Sequence, residues 1–249
     1  MPAAFKWTRE QIQDMLTCYE QGESLKKIAQ RYETSWQVLS VLLKKHGLVL
    51  RSQHEAVRIH TCNYAYFHDI DSEDKAYWLG FLTADGCITT GDRVTIHLAS
   101  VDCGHLYKLK RALEATQVVG EGKRSCSLVI CSPDMAADLA RYGVLPNKTF
   151  STKPARIAPE LARHYWRVVF DGDGWIARNG KLLVLVGDYE LILGFQAFVF
   201  AHCPKIRAGI TRKETIYQFR LQGDGMKRML EVLYGDATVY LERKYQLAK

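Results

Sequence analysis

Two short stretches of this chain end in the same way. One reads Ala76-Tyr77-Trp78-Leu79-Gly80-Phe81-Leu82-Thr83-Ala84-Asp85-Gly86; the other reads His164-Tyr165-Trp166-Arg167-Val168-Val169-Phe170-Asp171-Gly172-Asp173-Gly174. Each is an aromatic and apolar run that closes on a small residue, an aspartate and a glycine. An apolar helix ending in Asp-Gly sets a carboxylate at the negative end of the helix dipole, which is electrostatically unfavourable. Doing so twice predicts that something positive binds there, and a divalent metal is the simplest candidate. Two carboxylates held close together repel unless they are protonated or bridged. Mg²⁺ held by such a pair and by phosphate oxygens suits phosphodiester hydrolysis.

The helices that must carry these aspartates have a matching small-residue face. Gly80 and Ala84 lie four apart, and Val168 and Gly172 take the corresponding places. Small residues on a shared face let two helix backbones approach. Two such helices pointing the same way bring Asp85 and Asp173 together, with Val168 expected to widen the contact by about a methyl group. The elements that follow also recur. After the helix ending at Gly86 comes a strand region with clear alternation over Arg93–Leu98, with Val94, Ile96 and Leu98 inward. A helix over Cys103–Thr116 is next, then two strands bracketing 120–124, the second at Ser127–Cys131, and a helix over Pro133–Tyr142. The second unit reads as helix Pro159–Gly172, strands near Trp175–Arg178 and Lys181–Val186, and helix Tyr189–His202. Strands Lys205–Thr211 and Thr215–Gln222 and helix Gly225–Tyr234 complete it. Both halves have the order α-β-β-α-β-β-α, and an internal duplication is the economical explanation.

Ahead of the duplication, Thr8–Gln21, Leu25–Arg31 and Ser35–Lys45 read as three helices. Thr8 and Ser24 stand as N-caps, and Gly22 and Gly47 as stops. Leu25, Ile28, Ala29, Tyr32, Val38, Leu39 and Leu42 are expected to face inward. The arrangement resembles a helix-turn-helix, whose third helix would offer Ser35, Trp36, Gln37, Ser40 and Lys44 to DNA. A plain three-helix bundle is the alternative. Residues 48–70 lack periodicity and read as a linker.

The 249 residues carry 34 basic and 27 acidic side chains, a net charge of +7, which permits a polyanionic partner without requiring one. The seven cysteines are odd in number and contain no Cys-x-x-Cys, arguing against zinc ribbons and a disulfide framework. Scattered thiols suit a reducing compartment. The first ten residues lack a signal-peptide core, and apolar stretches such as Leu191–Ala201 are too short to span a bilayer. The expectation is a soluble intracellular protein. Asp171-Gly172-Asp173-Gly174 fails as a calcium loop because Trp175 falls where a ligand belongs. Gly223-Asp224-Gly225 reads as a turn.

Trp78–Gly86 and Trp166–Gly174, with the repeated element order, resemble the two signature motifs of the LAGLIDADG homing endonucleases over roughly Asp71–Lys249. The resemblance implies an α+β fold with pseudo-twofold symmetry, a duplicated αββαββα unit whose two antiparallel sheets form a saddle on DNA. Here a small all-α domain precedes it. The domain expectation is 1–47, a linker at 48–70, and 71–249 with repeats of about 71–155 and 156–249. The resemblance also implies that Asp85 and Asp173 bind Mg²⁺ or Mn²⁺, two or more ions being shared between the motifs. A basic residue near each site would be Lys148 and Lys244, with Arg243 as an alternative to the latter. Thr83 stands where the family often has an acid, a position that caps and packs. The implied activity is site-specific double-strand cleavage of DNA by a monomer, leaving 3′ overhangs.

Outward strand positions are the expected DNA contacts: Arg93, Thr95, His97 and Lys123 in the first half, and Lys205, Arg207, Arg212, Gln218, Arg220 and Gln222 in the second. Arginine favours guanine and glutamine favours adenine in the major groove. The halves differ at these positions, which predicts an asymmetric target. Two other readings use the same residues: a non-catalytic DNA-binding regulator and an intron RNA maturase.

Overall fold

The computed structural model describes residues 7–51, 60–145, 153–177 and 181–249. The chain forms two compact units, Met1–Ile59 and His60–Lys249.

The first unit holds α1 (Arg9–Glu20), α2 (Leu25–Arg31) and α3 (Trp36–Lys45). Thr8 and Gln11 form a reciprocal capping box at the start of α1, and the Ser24 and Ser35 hydroxyls accept the Lys27 and Val38 N–H groups. Gly22 and Gly47 end their helices at φ +97 and +84, a conformation that glycine adopts without strain. Met15, Tyr19, Ile28, Ala29, Leu39, Leu42 and Leu43 make the core. Val38, expected inward, is 48 % exposed, and Leu43 fills the core instead. Leu39, Leu42 and Leu43 define the buried stripe, and Val38 lies about a quarter turn off its centre. Arg51 ties the end of the unit back by donating to the Gly22 and Glu23 carbonyls.

The second unit contains the duplication. Its first half runs α4 (Glu73–Ala84), β1 (Gly86–Thr89), β2 (Arg93–Ala99), α5 (Cys103–Ala112), β3 (Gly120–Glu121), β4 (Ser125–Cys131) and α6 (Pro133–Arg141). The second runs α7 (Ala162–Asp173), β5 (Gly174–Ile176), β6 (Leu182–Gly187), α8 (Tyr189–His202), β7 (Ile210–Lys213), β8 (Ile216–Gln222) and α9 (Gly223–Tyr234), with α10 (Glu242–Ala248) closing the chain. The two antiparallel four-stranded sheets have the same order, β1-β2-β4-β3 and β5-β6-β8-β7. This is the α+β duplicated architecture expected from the sequence.

Three local readings need correction. Gly223-Asp224-Gly225 is the first turn of α9 rather than an isolated turn. β7 is four residues long and starts at Ile210, so Lys205 and Arg207 precede the sheet. Within 60–70, expected to be linker, Tyr66 and Phe67 are buried in the core of the second unit.

Helices α4 and α7 are the centre of this unit. Ala76 to Thr83 are all buried, as are His164 to Asp171, so both helices are enclosed on every side. A Cβ on Gly80 would stand 2.4 Å from Val168 Cγ1 and 2.6 Å from the Tyr165 carbonyl oxygen. Val168 therefore occupies the space that Gly80 leaves and does not hold the helices apart as expected. On the other side, a Cβ on Gly172 would stand 2.9 Å from Ala84 Cβ.

The same interface buries an ion pair. Arg167, 1 % exposed, donates through Nη1 and Nη2 to Glu73 Oε1, both at 3.1 Å. The Thr238 N–H donates to the same oxygen at 3.2 Å. Arg167 Nη2 also donates to His164 Nδ1. Burial is the main influence lowering the His164 pKa, which suits a neutral ring accepting at that nitrogen. Glu73→Ala would leave the guanidinium buried without its carboxylate and is expected to cost about 2 kcal/mol, a value discounted because Glu73 is partly exposed. Arg167→Leu, the residue that α4 carries at the corresponding position 79, should cost less. The double variant should recover most of the Glu73→Ala loss in urea unfolding; simply additive losses would exclude this account.

Candidate active site

Each motif passes from helix to strand with no loop. Asp85 caps α4 and Gly86 opens β1; Asp173 ends α7 and Gly174 opens β5. The glycines have a steric reason. A Cβ on Gly86 would lie 2.6 Å from the Leu82 carbonyl oxygen, and one on Gly174 would lie 2.3 Å from that of Phe170. The chain turns back so tightly against the last helical turn that only glycine fits. Each aspartate is thus clamped between a buried helix and a sheet.

The two ends meet across the helix pair. A Cβ on Gly172 would stand 3.1 Å from Asp85 Oδ2, so the Asp85 carboxylate lies against the glycine that precedes Asp173. Both aspartates are half-buried. Among the described residues no group of three or more His, Cys, Asp and Glu forms a metal cluster. The donor set here is two carboxylates at adjoining helix ends, which approach so closely at Gly172 that an added Cβ would crowd Ala84 and Asp85. Hard oxygen donors of this kind fit Mg²⁺, Mn²⁺ or Ca²⁺ better than a soft metal, with substrate oxygens and water left to complete the shell.

Lys244, on α10, reaches the same place. It is buried, its ammonium donates to the Gly174 carbonyl, and it lies 5.6 Å from the Phe170 ring centroid. Burial foremost, then the neighbouring Arg243 charge, pulls its pKa below the ordinary lysine value, while Asp171 and Asp173 act to raise it. Arg243 turns elsewhere and pairs with Asp102 at 3.0 Å. Lys148 lies outside the described residues.

Asp171, two residues before Asp173, is a buried carboxylate that the sequence reading does not assign a role. It is 1 % exposed and accepts three hydrogen bonds: from the Tyr77 hydroxyl at 2.9 Å, the Tyr234 hydroxyl at 2.5 Å and the Leu241 N–H at 2.9 Å. Burial raises its pKa to about 6, against the pull of these donors and of Arg167. The corresponding Thr83 donates to the Leu79 carbonyl at 2.9 Å within its own helix. The Asp-x-Asp spacing on a helix end is the available signal, since residues two apart cannot share a face and one must turn inward.

The sheet faces turned away from the core carry most of the expected DNA contacts. Register places Arg93, Thr95 and His97 on the outer face of β2, with Arg93 and His97 exposed. Lys123 is exposed in the turn between β3 and β4. Gln218, Arg220 and Gln222 share the outer face of β8, where Arg220 Nη2 donates to Gln218 Oε1 at 3.3 Å. Arg212 does not join them. It pairs with Tyr217, so it shares the face of Phe219 and Leu221, and its Nε donates to the Glu214 carbonyl. Thr211 and Lys213 take the outer positions on β7, and Trp175, 52 % exposed, takes that on β5 opposite Val184. None of these three is among the expected contacts: the sequence reading ends this strand at Thr211, short of Lys213, and takes Trp175 as the start of a strand without assigning it a face. In the first unit, Trp36, Gln37 and Lys44 are exposed on α3, Ser40 is half-buried, and the Ser35 hydroxyl is engaged as the cap.

The sequence matches no protein family profile and no curated relative. In structure, the chain is similar to the I-SmaMI LAGLIDADG homing endonuclease bound to cleaved DNA, at TM-score 0.50 and 10 % identity over 72 % of this chain and 87 % of that one. It is similar to a double mutant of I-SmaMI at TM-score 0.50 and 9 % identity, over 69 % and 87 %. Full-length DUF199/WhiA from Thermatoga maritima aligns at TM-score 0.47 and 15 % identity, over 74 % of this chain and 63 % of that one. At these identities the likeness establishes the fold: the duplicated unit has the LAGLIDADG architecture. No described helix is long and apolar enough to cross a membrane.

Proposed function

We propose that this protein is a site-specific, metal-dependent endonuclease that cuts both strands of a long asymmetric DNA target and leaves 3′ overhangs. The observation that carries the reading is the carboxylate pair. Two buried helices end side by side, with the Asp85 carboxylate packed against Gly172, the residue before Asp173. When bound there, a hard divalent cation supplies a water of lowered pKa and neutralises charge on the scissile phosphate. The chain's own part is to hold the two aspartates rigidly, with no loop to relax. Lys244 adds a positive charge beside Asp173 that favours a phosphate carrying extra negative charge. Lys148 is proposed for the equivalent role in the other half.

Recognition falls to the outer sheet faces. Arg93, Thr95, His97 and Lys123 serve one half-site, and Gln218, Arg220 and Gln222 serve the other, joined by Thr211, Lys213 and Trp175. Lys205 and Arg207, ahead of β7, are assigned to phosphates. The halves present different side chains, so the target is asymmetric. The N-terminal unit acts as a helix-turn-helix whose α3 places Trp36, Gln37, Ser40 and Lys44 against DNA beside the main site. The working form is a monomer, since both motifs reside in one chain.

The test is incubation of the full chain with a random-site duplex library in Mg²⁺ and in EDTA, followed by sequencing of the cut ends. Cutting at one long sequence in Mg²⁺, absent in EDTA, is expected. A library that is bound and enriched but never cut, in Mg²⁺ or Mn²⁺, would replace this reading with a non-catalytic DNA-binding regulator. Preference for intron RNA over DNA in filter binding would replace it with a maturase.

A further inference from the structure

The geometry points to Asp171 as a positioning residue for Lys244, a carboxylate with no counterpart in the first motif, where Thr83 stands; this rests on the nuclease reading above. α7 carries two carboxylates in its last turn. Asp173 faces the site, and Asp171 faces inward, where its Oδ2 accepts the Leu241 N–H at 2.9 Å. Leu241 is the residue that opens α10, and its own carbonyl accepts the Lys244 N–H at 2.9 Å. The Lys244 side chain then returns to α7's end and donates to the Gly174 carbonyl. The path closes on itself: Asp171 fixes the start of α10, α10 carries Lys244, and Lys244 reaches the residue after Asp173. The hydroxyls of Tyr77 and Tyr234 hold the Asp171 carboxylate in place from α4 and α9.

Other contacts keep α10 attached. Arg243 pairs with Asp102, and the Tyr245 ring meets Tyr234 of α9 edge-on at 6.1 Å between centroids. Losing the Asp171 anchor would therefore shift Lys244 without releasing the helix. The first motif has no carboxylate at the corresponding position. Thr83 stands there and donates its hydroxyl back to Leu79. The anchor thus serves one active-site half, and its loss should slow the cutting of one strand.

The experiment uses the full chain and its library-selected duplex, with each strand end-labelled in turn. Asp171→Thr reproduces the residue of the first motif, and Asp171→Asn keeps an acceptor oxygen for the Leu241 N–H while its amide donates to the Tyr234 oxygen. We expect Asp171→Thr to slow one strand about tenfold or more, as misplacement of a catalytic group does, and to leave the other strand unchanged. Asp171→Asn should restore most of the rate. In a Lys244→Met background Asp171→Thr should add no further loss, because it acts through the lysine. Equal slowing of both strands, no rescue by asparagine, or multiplying losses would each overturn the proposal. If the wild type cuts nothing, the nuclease reading has failed separately. The anchor is then judged by hydrogen exchange of the Leu241 amide, where unchanged protection in Asp171→Thr would overturn it and lost protection would uphold it.

Discussion

Replacing Asp85 or Asp173 with asparagine should lower cleavage by a factor on the order of 10³ or more, while the protein still binds its target. Asparagine has nearly the shape of aspartate, so the packing of Asp85 against Gly172 survives. On the proposed reading, what is lost is one of the two carboxylate charges that would draw a divalent cation to the site. DNA affinity should stay the same or rise slightly, because a negative group near the phosphates has been removed. Cleavage time courses in Mg²⁺, with fluorescence anisotropy on the same duplex in EDTA, separate the two properties. A variant that still cuts at the wild-type rate would show that the metal lies elsewhere.

Gly80→Ala should strongly destabilise the helix pair. The new carbon would sit within 2.4 Å of Val168 Cγ1 and 2.6 Å of the Tyr165 carbonyl oxygen. The side chain has nowhere to go in a fully buried helix pair, and the backbone oxygen cannot swing aside. Separation of α4 and α7 is the remaining response, and overpacking of this kind is expected to cost about 3 kcal/mol. Val168→Ala in the same chain should recover part of the loss, since it clears one of the two clashes. Gly104→Ala is the internal control. It lies in α5, where an added methyl would meet nothing within 4 Å, and alanine there should be neutral or stabilising by up to about 1 kcal/mol. Chemical unfolding of the three variants would check the ranking, and equal effects at Gly80 and Gly104 would contradict the packing described.

Much of this architecture is legible because two copies of each signal are present. The paired Asp-Gly endings locate the helix termini, and the recurrence of element order assigns weak strands by analogy with clear ones. Alternation in Arg93–Leu98 identifies the inward face correctly. What is not legible depends on partners distant in sequence. Nothing near Asp171 announces that Tyr77, Tyr234 and Leu241 converge on it. Val168 looks like an oversized residue on a small face because its fit is decided by Gly80, on the other helix. Tyr66 and Phe67 are lost in an aperiodic stretch, since two adjacent aromatics carry no period. Arg212 is misplaced because the sequence reading ends this strand at Thr211, whereas β7 runs on to Lys213 and alternation then turns Arg212 to the inner face.

The Glu73–Arg167 pair makes the two halves of the duplication unlike in a way that their common fold conceals. Position 79 of α4, matching Arg167, is leucine, and position 161, matching Glu73, is leucine as well. Two copies of α7 set face to face would bury two guanidinium groups with neither given its Glu73, and two copies of α4 would offer Glu73 no Arg167. Either half therefore prefers its opposite to its own likeness. The molecule behaves as a left and a right hand rather than a repeated part, so doubling one half should not give a working protein, while mixing the separated halves should regenerate only the unlike pair.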